Sequence, residues 1–462
     1  MISTSKRASI RLPIKEKLMK CKSLTCLTLC VLLAAAMPAS AGTWGTQAAL
    51  AANAFNGTVA VDASGNMTSV WYQNALANGT AVNQIWAATA PFGQPWSAPV
   101  NISGTIGVAS GNPSVRTSAS GSVTAIYSSP SLGGTFVDHP AGGNWGTPGS
   151  THGVNQFYVS NDRGDQGLAW GTGGARPTSS TVVAVQRPAG GTWSAASTIA
   201  AAPHLNFDGA VVAPDGTMAV AWESFDSVCG SRTCKTSNWV LHVSTRALGA
   251  QNWTDSGALL GPDASQHFGQ LAADSVGDIG VVSILGTNVV SRVRHGSSWS
   301  GTAVVAPTSS LQFYTGTGRD NRIYGSDSSG HATIVGWGNA QLTNLVAVDG
   351  NLATNTWGPV TKISGSDQFP GYFDFAMSSS GAAIAFYWVN PNDGTGNTIW
   401  RAATRPGAGQ PWKAPSTAGM TFDAGGTPEG VAINSAGQAA VVFHGYSADF
   451  LTYILYTNTF KP

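Results

Sequence analysis

Ten side chains scattered singly along the 462 residues are of types that could act together chemically. Eight short turns end in Gly65, Gly121, Gly164, Gly216, Gly277, Gly330, Gly381 and Gly437, and counting back about eight residues from each reaches the start of a strand. Polar residues found there are Asn56, Asn112, Asn155, Gln156, Asp208, Gln270, Arg322, Asp374 and Glu429. In a chain with only 10% charged residues, carboxylates converging with Arg322 would make a polar ligand site. The alternative is that they line a water-filled channel and cap strand ends. His204 and His267 precede two of those strands, and Glu223 and His444 stand near the ends of the following ones. Two imidazoles with two carboxylates suit acid–base or metal chemistry, but they are scattered singly at spacings that match no metal motif, and ordinary loop histidines are the preferred reading. Neither a metal nor a cofactor is expected. Arg116 stands where other repeats place Ala60, Val159, Val211, Ala272, Gly325, Ala376 and Ala432. A guanidinium among small side chains must reach a ligand or find a partner, because an unpaired buried charge is costly.

The turns that space these residues are Asp62-Ala-Ser-Gly65, Ser118-Ala-Ser-Gly121, Asn161-Asp-Arg-Gly164, Ala213-Pro-Asp-Gly216, Asp274-Ser-Val-Gly277, Asp327-Ser-Ser-Gly330, Ser378-Ser-Ser-Gly381 and Asn434-Ser-Ala-Gly437. Asp, Asn or Ser in first place bonds the backbone two residues on, and Gly supplies the positive φ that closes a tight hairpin. The glycines recur at intervals of 43 to 61 residues, the period of a blade of four strands. Six residues after six of them come Trp71, Tyr127, Trp170, Trp222, Tyr387 and Phe443; Ser283 and Gly336 are the exceptions, the latter followed at once by Trp337. A fixed aromatic on the second strand is what packing one twisted sheet on the next requires.

A second phrase, a Gly-rich turn running into Trp and small residues, marks the fourth strand at Trp44, Trp96, Trp145, Trp193, Trp253, Trp299, Trp357 and Trp412. Seven of these follow a turn glycine by 22 to 37 residues, whereas Trp44 precedes every turn and the last repeat ends at Pro462 without one. Residues 42–47 are therefore expected to supply the missing fourth strand of the final blade. The fold class is all-β: a closed β-propeller of eight four-stranded blades, sealed by the N-terminal strand and occupying residues 42–462 as one domain. In such a ring the loops entering the innermost strand and those joining the second and third strands share one face, where ligands usually bind.

Residues 1–41 read as a signal peptide. Lys6, Arg7, Arg11, Lys15, Lys17, Lys20 and Lys22 precede an apolar run from about Leu24 to Met37, then Pro38 and the small triplet Ala39-Ser40-Ala41. The leader takes seven of the 23 basic residues and one of the 22 acidic ones, leaving 16 against 21. A mildly acidic chain without a Lys/Arg cluster is poorly suited to nucleic acid, and no later apolar run is long enough to span a membrane. Expectation is therefore of a secreted or periplasmic monomer. Three of the five cysteines leave with the leader; Cys229 and Cys234 remain, close enough for one structural disulfide in an oxidising compartment. The run Asn-Pro-Asn-Asp-Gly-Thr-Gly-Asn at 390–397 lacks the ordered spacing of a calcium loop and reads as a turn.

On these repeats the chain resembles bacterial secreted propellers of the broad sialidase-like and lectin-like superfamilies, over nearly all of residues 42–462. Sialidases mark blades with Ser-x-Asp-x-Gly-x-Thr-Trp, while the phrases here, Pro188-Ala-Gly-Gly-Thr-Trp193 and His295-Gly-Ser-Ser-Trp299, lack the Asp, and no Arg-Ile-Pro segment occurs. Neither sialidase activity nor its residues are implied. The leading expectation is a secreted carbohydrate-binding module, with aromatic faces for sugar rings, Asn, Asp and Gln for hydroxyls, and a glycan or polysaccharide as partner. Two alternatives stay open: a polysaccharide lyase or glycoside hydrolase with one central site, and an envelope scaffold that binds another protein.

Overall fold

The computed structural model describes residues 42–462 except 78–79, 105–112, 130–131, 153–156, 173–178, 231–232, 313–322, 339–342, 368–369, 390–396, 424–427 and 447–451. The expected leader, Asn112, Asn155, Gln156, Arg322 and most of the 390–397 run lie outside the described residues.

Every regular element among the described residues is a strand, and the strands form eight antiparallel sheets. Their innermost strands, which number blades 1 to 8 in chain order, are Ala54–Val61, Ser114–Thr117, Phe157–Ser160, Leu205–Val212, Gln270–Ala273, Tyr324–Ser326, Pro370–Met377 and Pro428–Ile433. Each packs beside the next, and the ring closes where the inner strand of blade 8 meets that of blade 1. Outer strands of blades 4, 5 and 6 run in two pieces.

All eight turn glycines adopt positive φ, between 76° and 90°, a region that costs glycine nothing. The polar first residue of the turn does more than bridge two positions. Asp62 Oδ1 accepts from the N–H of Ser64 at 2.9 Å and of Asn66 at 2.7 Å, and Asp274, Asp327 and Asn434 accept the same pair of bonds. Asparagine there has an amide left over, which stitches blades together: Asn161 donates to Ala213 O at 2.8 Å and Asn434 to Asp62 O at 3.0 Å.

Blade 8 is completed from both ends of the domain. Thr43–Trp44 pairs with Tyr453–Lys461 in the register Thr43↔Lys461 and Trp44↔Phe460, and Ala48–Ala52 continues along the same strand. The core lies between blades, where burial of apolar surface drives association of the sheets. Trp71, Tyr127, Tyr387 and Phe443 are fully buried and Trp170 and Trp222 nearly so. The fourth-strand tryptophans also serve packing. Trp44, Trp253 and Trp357 donate across blade boundaries to Ser416, Ser197 and Ser291 at 2.9, 3.2 and 2.8 Å. In blades 1, 2, 3, 4 and 7 the tryptophan precedes the fourth strand instead of lying in it.

Residues near the end of the third strand add charged links that the repeat pattern does not announce. Arg187 of blade 3 makes a two-pronged pair with Asp138 of blade 2, at 2.9 and 2.5 Å, and its guanidinium lies 4.8 Å from the Phe136 ring and 5.9 Å from Trp193. Arg405 of blade 7 repeats this with Asp349 of blade 6 and Trp412, and Arg246 of blade 4 bonds Gln186 of blade 3 at 2.6 Å over Trp253.

Candidate functional site

Blade 4 departs most from its neighbours. Its second and third strands, Met218–Cys229 and Cys234–Arg246, are the longest of the described strands. They end in the expected disulfide, Cys229 lying directly opposite Cys234 in the ladder. Within this hairpin Phe225 stacks on Trp239 at 4.0 Å, and His204, from the loop entering the blade, stacks on Phe225 at 5.6 Å. Three rings in a row stiffen an arm that reaches past the rest of the sheet.

At its base a bulge places Asp208. The inner-strand register slips between Phe207 and Gly209, so Asp208 has no residue opposite it, and a bulged residue is aimed away from the regular pleat. Its carboxylate accepts from the Gly269 N–H at 2.9 Å and from Asn206 Nδ2 at 2.8 Å. That same amide nitrogen lies 3.5 Å from Glu223 Oε2, so two carboxyl groups share one donor. Burial, and then the neighbouring Glu223 charge, hold Asp208 well above the usual carboxylate range, and hydrogen bonds from Gly269, Asn206 and Gln266 offset only part of this. Burial likewise raises Glu223, against the opposing pull of the His267 N–H and ring.

His267 braces this pair from blade 5. Fully buried, it gives its backbone N–H to Glu223, while its ring nitrogens lie 2.7 Å from Ile284 O and 3.0 Å from Trp239 O. Ser283, where most blades carry the packing aromatic, donates to the His267 carbonyl at 2.8 Å. The gap in the aromatic pattern is therefore the sequence mark of this site. Asn206, Gln266, Phe225 and Trp239 carried no such mark.

The other candidates lie elsewhere. Glu429 and His444 form a second pair, 2.5 Å apart, in blade 8, four places around the ring, and Glu429 sits on the same kind of bulge as Asp208, between Pro428 and Gly430. Asp374, nearly buried, accepts the N–H of Phe375 at 2.9 Å. Gln270 lines a central channel cavity of about 330 Å³ whose walls include Ala272, Gly325 and Ala376. Arg116 points between blades 2 and 3, donating to the carbonyls of Val115 and Tyr158 at 2.8 and 3.2 Å. Among the described residues no group of three or more His, Cys, Asp or Glu is gathered to hold a metal.

The raised acids have a thermodynamic consequence. Because the folded state holds the proton more tightly than the unfolded chain, their contribution to stability is full below the ordinary carboxylate pKa of about 4 and is lost as pH rises through the raised value. Asp208→Asn has no such proton to lose. In urea titrations from acidic to mildly alkaline pH, the variant should gain on the parent as pH rises, by at most about 1.4 kcal/mol per pH unit for each proton. A gap that stays constant with pH would show that Glu223, Asn206, Gln266 and His267 leave Asp208 unperturbed.

No protein-family model matches the chain, and no curated protein matches it. Solved structures similar to it include the BP39L lectin of Burkholderia pseudomallei, at 11% identity over 79% of this chain and 99% of that one with a TM-score of 0.45. The β-propeller domain of the Trilobed protease from Pyrococcus furiosus follows at 6% identity, 80% and 98% coverage and a TM-score of 0.45. The NanB sialidase of Streptococcus pneumoniae is 10% identical, with 93% and 72% coverage and a TM-score of 0.33. At these scores the similarity assigns neither residues nor ligand.

Proposed function

We propose that this propeller binds carbohydrate at the blade 4 rim, after export and loss of residues 1–41. One observation carries the reading: Asp208, half-buried on its bulge, stands with Asn206, Gln266 and Glu223 in a group where burial favours the protonated form of both carboxyls. Two carboxyl groups and two amides offer acceptors and donors together, as a sugar hydroxyl demands. The half-buried His204 ring, backed by Phe225 and Trp239, offers a flat face beside them. Long hairpins on a rigid ring are where binding specificity is commonly built.

A glycan array tests this with the parent and Asp208→Ala. Saturable binding to a narrow set of glycans, weakened by about tenfold or more in the variant, is the expected result, since hydrogen bonds to charged groups contribute about 1.5 to 3 kcal/mol. Silence on every glycan would sink the reading; undiminished binding by the variant would move the site away from blade 4. The paired carboxyls also favour a second reading, glycoside hydrolysis with Asp208 as the group touching substrate, because Glu223 is fully buried. Newly released reducing ends would establish it. An interaction scaffold finds less support: Val100, Val228, Val276, Val304 and Tyr372, the exposed large apolar residues among those described, are spread over blades 1, 4, 5 and 7.

A further inference from the structure

His267 is a buried titratable group that sugar recognition at the blade 4 rim does not use. Its backbone is held on both sides: the N–H goes to Glu223, and the carbonyl accepts from the Ile284 N–H at 2.9 Å and from Ser283 at 2.8 Å. The ring is thereby set between two blades, with Nδ1 2.7 Å from Ile284 O of blade 5 and Nε2 3.0 Å from Trp239 O of blade 4.

Both of these neighbours are carbonyl oxygens, which only accept. A neutral imidazole has one N–H and one lone pair, so it satisfies one carbonyl and turns the lone pair towards the other; an imidazolium donates to both. The ring is fully buried, and the chain closes directly over its contact with blade 4. A β-carbon on Gly261, whose φ is +100°, would come within 2.3 Å of Trp239 O and 3.1 Å of His267 Nε2. A lone pair facing a carbonyl in such a place goes unrelieved.

The ionisable groups on the elements packed against the ring are few. Glu223 and Asp208 of blade 4 stand beside its loop, and a charged ring favours the ionised form of Glu223. Asp263 ends the outer strand that holds Gly261 and accepts the Gly286 N–H at 3.0 Å. Asn238 and Val240, which flank Trp239, carry no charge, nor does the blade 5 strand Ile279–Leu285. Asp226, Lys235, His242 and Arg246 stand farther along the blade 4 strands, and His204 reaches Trp239 only through the Phe225 ring.

We propose that His267 is a proton-operated latch: doubly protonated, it ties the blade 4 arm at Trp239 to blade 5, and loss of one ring proton releases that tie. Imidazoles exchange this proton between about pH 5 and about pH 8, so the latch is closed in acid and opens as pH rises. Trp239 backs the Phe225 and His204 rings; on the blade 4 reading, sugar binding is therefore tightest in acid, while the latch itself holds whether or not a sugar binds there.

Nitrogen NMR of the histidine rings in the purified protein, with the His267 signals assigned through its backbone, reads the protonation directly. In mildly acidic buffer both ring nitrogens are expected to carry protons. Hydrogen-exchange protection of residues 234–241, corrected for the intrinsic rate, is expected to fall by about tenfold or more between about pH 5 and about pH 8, since a bond from a charged donor is lost. The fall should persist in Asp208→Asn, which removes the neighbouring carboxyl, and disappear in His267→Gln. A lone-pair signal from either nitrogen in acid, protection that does not change with pH, or the same fall in His267→Gln would each overturn the proposal. The parent's spectra decide even where His267→Gln does not fold.

Discussion

Without residues 42–52 the ring is expected to open. These residues supply the outer strand of blade 8, and their loss strips the Tyr453–Lys461 strand of its outer partner along most of its length, leaving only the pairing with Ala439–Tyr446. Trp44 goes with them, stacked on Phe460 at 5.3 Å and bonded to Ser416 of blade 7, as does the buried Leu50. Removing one large apolar side chain from a packed site costs about 2 to 5 kcal/mol, and here two leave together with a row of backbone bonds. The bared edge is also a template for pairing with another chain. Comparing 42–462 with 53–462 by thermal melting and sedimentation should show a much less stable, self-associating shorter protein. Trp44→Ala, which leaves the backbone pairing in place, should fall between the two. A shorter chain that melts like the parent and stays monomeric would mean that the inner strands of blades 8 and 1 seal the ring without the outer one.

The second large effect is expected at the boundary between blades 2 and 3. Asp138→Ala leaves Arg187, whose side chain is only 9% exposed, without its charge partner, and stranding a buried ion in this way costs about 3 to 5 kcal/mol. Because Asp138 is itself about one-third exposed, solvent reaches the pair and the lower end of that range is the expectation. Thr124 loses its acceptor as well, at 2.6 Å. Arg163→Ala breaks a pair of similar length on the open surface and should cost about 1 kcal/mol or less. Adding Arg187→Met to Asp138→Ala removes the stranded charge while keeping an unbranched chain against Phe136 and Trp193, so the double variant should recover most of the loss in urea denaturation. A double variant no better than the single would show that the loss arises from packing and not from charge.

The contrast between these two pairs explains how much the sequence discloses. Turn glycines, second-strand aromatics and the misplaced Trp44 are dictated by local geometry that every blade must repeat, so they recur at readable intervals, and blade number and ring closure follow from the chain alone. Cys229 and Cys234 are legible for the same reason, being five residues apart. Contacts between blades obey no such spacing. Arg187 and Asp138 are 49 residues apart and Arg405 and Asp349 are 56 apart, separations set by loop lengths that vary from blade to blade. The candidate site shows the same division. Asp208, Glu223 and His267 stand out by residue type, but a bulge and the approach of a loop from blade 5 decide that these three meet while Glu429 joins His444 and Arg116 turns to the other face. Asn206 and Gln266, ordinary by type and position, became part of the site only through tertiary packing. Side-chain identity and local turn chemistry are written along the chain; which side chains share a cavity depends on twist, register and bulge, which emerge only when the sheets pack.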